Sequence, residues 1–302
     1  SNCGPFVVIF RSSHPRGKAI LRGSVVAGLM SLDVLLVGAH PDDCDIKAGG
    51  LTALYCDRGH NVRILSMTNG DAGHHEVTGV ELADRRRREG EAAAATVGAT
   101  FETLGVNDGE LMPTLPERKR LIRYIRESDP DLLLTHRPND YHPDHRYTAQ
   151  LVRDAAYMVT VPSVCPETPR LEENPVIGYF HDHFQKPNPF DPDVAVAVDE
   201  VIDEKVEMLH SHESQMYEWL PFTTDELDDV PADEATRKEY LREGRFDFFS
   251  NIHHNVAEQH RDALIERYGP ERGNEVEYAE AIEISEYGAP LTDEREDELF
   301  PF

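Results

Sequence analysis

Two short stretches of this chain concentrate groups that bind metals and move protons. The first is Ala39-His40-Pro41-Asp42-Asp43, with one imidazole and two carboxylates in a turn that Pro41 stiffens. The second is His136-Arg137-Pro138-Asn139-Asp140-Tyr141-His142-Pro143-Asp144-His145, with three histidines and two aspartates in ten residues. A core histidine normally sits alone beside one partner, and a solvated loop needs no such density of imidazoles. Histidine is the commonest neutral metal ligand, and its second nitrogen usually leans on a carboxylate. Together the two stretches can offer two histidines and one carboxylate to a single ion. That leaves a coordination position open for water, as a catalytic zinc requires. The structural alternative is helix capping by Asp42 or Asp43, and Asp45 is better explained that way. A cap needs only one acid, however, and no histidine.

The elements around these stretches predict where they lie. Residues 33–39 are a short apolar run and read as a buried parallel strand. A helix is expected over 49–58 with Gly59 closing it, then a strand over 62–67 and a polar loop over 68–73. A helix over 82–97 stopped by Gly98, a strand over 100–104, a helix over 117–127 and a strand over 131–136 complete the alternation. Strand and helix in turn predict βαβ units in a three-layer, Rossmann-like α/β fold with a mostly parallel, doubly wound sheet. In such sheets the loops at the carboxyl ends of the strands gather on one edge and bind ligands there. Further on, Pro-rich loops over 161–175 and 185–192 flank a strand at 176–180. A strand at 194–198, a helix over 200–219, an exposed acidic segment at 223–235 and a late strand over 278–287 follow.

Composition narrows the partners. The 302 residues carry a net charge of −27, which excludes nucleic acid and anionic membrane surfaces as main partners. No apolar run is long enough for membrane insertion. Acids outnumber bases 57 to 30, a surface that stays hydrated in strong salt, so a halophilic source is one expectation. Cys3, Cys44, Cys56 and Cys165 are widely spaced, which predicts a reducing, cytoplasmic setting. A secretory leader is weighed for the basic N-terminus, but its apolar stretch at 23–30 is short. Residues 1–29 are instead expected to be a disordered extension, or sequence upstream of a true start at Met30. A nucleotide-binding reading fails because Val37-Gly38-Ala39-His40 lacks the GxGxxG turn and places acids where a pyrophosphate would sit.

The two histidine-bearing stretches, with the glycine pair Gly49-Gly50, resemble the PIG-L or LmbE-like family of zinc-dependent N-acetylglucosaminyl deacetylases. Weaker matches occur at residues 68–73, Arg86 to Glu89, Val97-Gly98, residues 105–109, Lys205, His212 and Gln215, so the likeness spans roughly 32–216. It implies one LmbE-like domain over 30–302, with a core at about 32–219 and an acidic elaboration at 220–302. It also implies that His40, Asp43 and His145 hold Zn²⁺, with Fe²⁺ an alternative for the same ligands. Asp42 is then the general base, since one carboxylate of the adjacent pair cannot both bind metal and accept a proton. His142 faces the substrate carbonyl, and Asp144 pairs with His142 and keeps it cationic. Arg86, Asp71 and Asp140 are placed toward the substrate. Asp140 occupies a position that is tyrosine in the mycothiol branch, a departure that bears on the substrate. His136 is open between orienting a ligand and packing, His212 and Gln215 between closing the site and packing. His74-His75 and His253-His254 are expected on the surface, as are Arg85, Arg87 and Arg88. The activity implied is hydrolysis of the N-acetyl amide of a small amino-sugar substrate, with a homo-oligomer possible. The alternatives are hydrolysis of another amide or an ester at the same site, or a non-catalytic sugar or metal binder.

Overall fold

The apolar runs of the first half form parallel strands because both of their faces are covered. The computed structural model describes residues 31–242 and 254–302; residues 1–29 and His253, and the side chain of His254, lie outside what is described. Strands β1 (Asp33–Gly38), β2 (Asn61–Thr68), β3 (Thr100–Val106), β4 (Leu132–Thr135), β5 (Val176–Phe180), β6 (Val194–Ala197) and β7 (Ala279–Ile284) form one sheet in the order β3-β2-β1-β4-β5-β7-β6. β1 pairs in parallel with both β2 and β4, so the strand order reverses beside it. That switch point is where an open α/β sheet makes its ligand crevice. β5 continues the parallel run, whereas β7 is antiparallel to both β5 and β6.

Successive residues of β1 point to opposite faces and separate two cores. Val34 and Leu36 pack with Leu51 and Leu54 of helix α1 (Asp43–Asp57). Leu35 and Val37 pack on the other face, with Leu121 of α3 (Leu115–Ser128) and Leu151 of α4 (Pro143–Ala156). Between α1 and α3 in sequence lies α2 (Val80–Val97), and α5 (Ile202–Ser211) packs against both α1 and α2. The layers and the parallel first half are those expected. Among the described residues, no helix is long and apolar enough to cross a membrane.

Three elements differ from the sequence reading. Helix α1 starts six residues earlier than the expected 49, at Asp43, and breaks at Ala48 (φ −145°, ψ 26°) before resuming. The break frees the N–H groups of Gly50 and Leu51, which donate to Glu280 of β7 at 2.9 and 2.8 Å. Lys205 of α5 donates to the same carboxylate at 2.6 Å. The glycine pair is needed for this approach, since a Cβ on Gly50 would lie 2.7 Å from Val198 Cγ1. The expected helix over 200–219 is likewise interrupted: α5 ends at Ser211, and Ser214–Trp219 winds as a π-helix. Finally, the late strand sits inside the sheet, between β5 and β6, so the C-terminal part is integral to the core.

Candidate active site

The turns after β1 and β4 meet at the carboxyl edge of the sheet, beside the switch point. The β1–α1 turn is closed by Asp43, whose Oδ2 accepts the N–H groups of Ala39 and His40 at 2.9 and 2.6 Å. It is this bond, rather than a helix cap, that uses the second acid of the motif. Asp42 occupies the N-cap position but makes no capping bond with its side chain. From the other side, Pro143 starts α4 and carries His145 on its first turn. The result is a three-way convergence. His40 Nδ1 lies 3.4 Å from Asp43 Oδ2 and 3.2 Å from His145 Nε2, and His145 Nε2 lies 3.3 Å from Asp43 Oδ1.

These separations match the edges of a tetrahedron around a zinc ion, about 3.3–3.4 Å for bonds of about 2.0–2.1 Å. Two imidazole nitrogens facing each other beside a carboxylate form a donor set of N, N and O, which suits Zn²⁺ or Fe²⁺. The far nitrogens lean on carboxylates, as ligand histidines do. His40 Nε2 is 3.1 Å from Asp108 Oδ1, and His145 Nδ1 is 3.0 Å from Asp140 Oδ1. His136, buried beneath, stacks on His145 at 4.1 Å and sets its Nε2 3.1 Å from Asp43 Oδ2. Among the described residues, three overlapping groupings have donor atoms within 4.8 Å of one another: His40 with His142 and His145, His40 with Asp108, His142 and Asp144, and Asp43 with His136 and His145. The carboxylates on His40 Nε2 serve as its orienting partners. His136 lies below the cavity wall with its nitrogen also 3.1 Å from the Ala39 N–H.

Electrostatics favours a cation here. Burial works to raise the Asp43 carboxyl, but His145, His136 and His40 outweigh it and hold it well below the ordinary range. Burial likewise opposes charge on His40 and His145, yet Asp43 and the other neighbouring acids raise both. Asp108 and Asp140 resist burial through the same imidazoles and fall to about 2. Carboxylates so arranged demand positive charge, from protons or from a divalent ion.

Around the cluster lies a cavity of 410 Å³ that includes Asp42, Arg86, Asp140, His142 and Gln215 in its lining. Arg86 alone of its arginine run turns inward. Its guanidinium is buried, with Nη2 donating to Asp42 Oδ1 at 2.5 Å and Nη1 lying 3.7 Å from Asp108 Oδ2. Gly70 makes room for it, since a Cβ there would be 2.4 Å from Arg86 Nη1. Arg86, expected to face the substrate, thus lines the cavity while paired with Asp42. Arg87 and Arg88 are exposed as expected, but Arg85 is half-buried in a fork on Glu218 at 2.7 Å.

Asp144 and His142, expected to pair, have ligand atoms within 4.8 Å of one another in a group with His40 and Asp108. Asp144 Oδ2 also accepts the Gly109 N–H at 2.7 Å and lies 3.4 Å from His40 Nε2. His142 caps α4: its Nδ1 accepts the Asp144 N–H at 3.2 Å. Burial first, and then His40 and His145, push its pKa down against the opposing pull of Asp144 and Asp43. A neutral ring that accepts at Nδ1 carries its proton on Nε2.

Other residues sort as follows. Asp140 reaches the cavity but is tied to His145 and to the His142 N–H. Asp71 does not line the cavity; it accepts the Asp108 N–H at 2.9 Å and holds that loop. Asp45 is no cap but a fully buried partner of His212, at 2.6 Å. Gln215 lines the cavity and donates to Gly73 O at 3.0 Å. His74 is buried rather than on the surface, bonded through Nε2 to Glu218 at 2.7 Å, while His75 stacks on Phe222. Sequence reasoning gave Asp108 no role, although its place in the turn after the third strand was a usable signal. It missed Lys47, Phe184 and Trp219, which also line the cavity.

Comparison with known proteins places this geometry. The PIG-L family, described as GlcNAc-PI de-N-acetylase, matches residues 35–156, which contain both histidine-bearing turns. Diacetylchitobiose deacetylase of Thermococcus kodakarensis is 32% identical over 204 residues, 63% of this chain and 74% of that protein. A 4-oxalmesaconate hydratase of Pseudomonas putida is 26% identical over 197 residues, 63% of this chain and 76% of that protein. In three dimensions, N,N'-diacetylchitobiose deacetylase from Pyrococcus horikoshii superposes with a TM-score of 0.62 at 24% identity, over 84% of each chain. An imidazole and acid from one turn meeting an imidazole from another, on a sheet shared with these proteins, lead to one conclusion: the chain belongs to the PIG-L, LmbE-like family.

Proposed function

We propose that the chain is a metal-dependent hydrolase that removes the acetyl group from an N-acetylglucosamine-type amino sugar, with the ion held by His40, Asp43 and His145. The observation that carries this is the 3.2–3.4 Å convergence of those three side chains in the wall of a cavity. The relatives named as deacetylases supply the substrate class. When bound, a divalent ion supplies Lewis acidity, making water nucleophilic near neutral pH and polarising the acetyl carbonyl. Asp42 accepts the proton of the attacking water and returns it to the departing amine. Arg86 fixes the orientation of that carboxylate through Oδ1. His142, as a neutral ring with its proton on Nε2, donates to the developing oxyanion. Asp140, Asp108 and His136 orient the three ligands. Asp144 supports His40 from the far side.

Cys44, Cys56 and Cys165 are free thiols, which supports a reducing, cytoplasmic setting. A second reading is water addition to a double bond, favoured by the match to a hydratase. Acetate release separates the two, because only amide hydrolysis breaks the acyl C–N bond, whereas hydration adds water with no leaving group. The expected result is acetate from N-acetylglucosamine conjugates, abolished by a chelator and restored by Zn²⁺ or Fe²⁺. A metal-loaded protein that released no acetate from any such conjugate would end the deacetylase reading.

A further inference from the structure

The cavity wall holds a cation, Lys47, that forms no ion pair with a carboxylate among the described residues. Lys47 lies one helical turn beyond Asp43 on α1, so the two share a face and both line the cavity. Its Nζ donates to the carbonyl oxygen of His181 at 3.3 Å, and among the described residues no carboxylate forms an ion pair with it. The acids nearby are engaged elsewhere. Asp140 is held by His145 and the His142 N–H, and Asp182 by Arg137 at 2.8 Å and the Phe184 N–H. The buried cations around this half-buried ammonium are each matched, Arg86 by Asp42 at 2.5 Å, Lys205 by Glu280 at 2.6 Å and Arg137 by Asp182 at 2.8 Å. Burial pushes the Lys47 ammonium below its ordinary pKa, with Asp140 and Asp182 opposing from a distance. An ammonium in that position gains from an anion that arrives with the ligand.

We propose that Lys47 is a specificity-determining residue that receives a carboxylate of the substrate, so that the preferred substrates are acidic N-acetylated amino sugars. This rests on the deacetylase reading above. A single ammonium answers one negative charge, whereas a phosphate dianion needs more donors than this wall offers and would face Asp42, Asp43 and Asp140. The rings of Tyr141 and Phe184, 6.2 Å apart, both line the same cavity and lower the local dielectric.

The test uses the zinc-loaded protein with N-acetylglucosamine, its C6 carboxylic acid and its 3-O-lactyl acid. The wild type is expected to favour at least one acid about tenfold in kcat/KM, the gain residing in KM. In Lys47→Met the acid-to-neutral ratio falls toward one, while Lys47→Arg keeps a preference. A wild-type ratio near one for both acids, or a ratio unchanged in Lys47→Met, overturns the proposal. If no sugar yields acetate, the deacetylase reading fails and binding decides the role of Lys47. Trp219, the only tryptophan in the sequence, lines the cavity and reports binding by its fluorescence. Tighter binding of an acid that Lys47→Met abolishes then upholds the assignment, and equal binding of acid and neutral sugars overturns it.

Discussion

Two buried polar clusters lie on either side of the break in α1, built from similar residues and put to different ends. Below the break, Glu280 accepts from Gly50, Leu51 and Lys205, and each group is answered. Both side chains are 1% exposed, and none of their polar atoms lacks a partner. Above it, Asp43, Asp108, Asp140 and Asp144 crowd around His40 and His145, and two imidazole nitrogens face each other at 3.2 Å. Buried atoms there, among them His40 Nε2, His145 Nδ1 and Asp144 Oδ1, lack a well-formed hydrogen bond. Burial and residue type are thus shared by both clusters and separate nothing. What separates them is charge balance: the lower cluster closes on itself, whereas the upper one is complete only with a cation.

That contrast can be broken by substitution. His145→Ala removes one donor from the upper cluster, so metal content by elemental analysis and acetate release are both expected to vanish while the fold persists. Asp42→Asn leaves the three donors in place. Metal should stay near the wild-type level and kcat fall by about 10²–10⁴, the range of a lost general base. Equal metal loss in both variants would show the base and ligand roles to be misassigned. In the lower cluster, Lys205→Met leaves Glu280 buried without a counter-ion and should cost about 3–5 kcal/mol in urea unfolding. The double variant Lys205→Met with Glu280→Gln should recover part of that loss. If Lys205→Met unfolded like the wild type but lost its metal, the lower cluster would belong to the site and the distinction drawn here would collapse.

The upper cluster was legible in the sequence because its residues sit in two short loops directly after apolar strands. The parallel strands β1, β2 and β4 announce themselves as unbroken apolar runs, and their carboxyl ends must converge. The lower cluster was not legible. Lys205 and Glu280 are 75 residues apart, and no pattern in either segment fixes β7 between β5 and β6. Helix α1 was read from residue 49 because Asp43-Cys44-Asp45-Ile46-Lys47 has no amphipathic period, and its start is set instead by Asp43 folding back on the turn. Arg86 could not be told from Arg85, Arg87 and Arg88, since each step rotates about 100° and only the packing of α2 decides which one points in. The resemblance implied that His142 and Asp144 pair, but not that His142 also caps α4 or that Asp144 also holds the Gly109 N–H, since both depend on the fold of the turn.

A third cluster, in the wall between these two extremes, sharpens the comparison through pH. Glu218 of the π-helical segment accepts from Arg85 and is bonded to His74, and it remains about a third exposed. Arg85 first, against the opposing effect of burial, and then His74 hold its carboxyl below the ordinary 4.5. A depressed native pKa means that the stabilisation is present above 4.5, where the unfolded chain is also ionised. It is lost as pH falls through the lower native value, because protonation then removes the charge that Arg85 and His74 recognise. The difference in urea midpoint between wild type and Glu218→Gln should therefore be constant near neutrality and shrink below 4.5, with solvent screening keeping it small. A difference that stayed level through that acid range would mean that Glu218 holds the wall by shape and neutral hydrogen bonds alone. Charge matching would then explain the cluster below the break but not the wall that supplies Gln215 and Trp219 to the cavity.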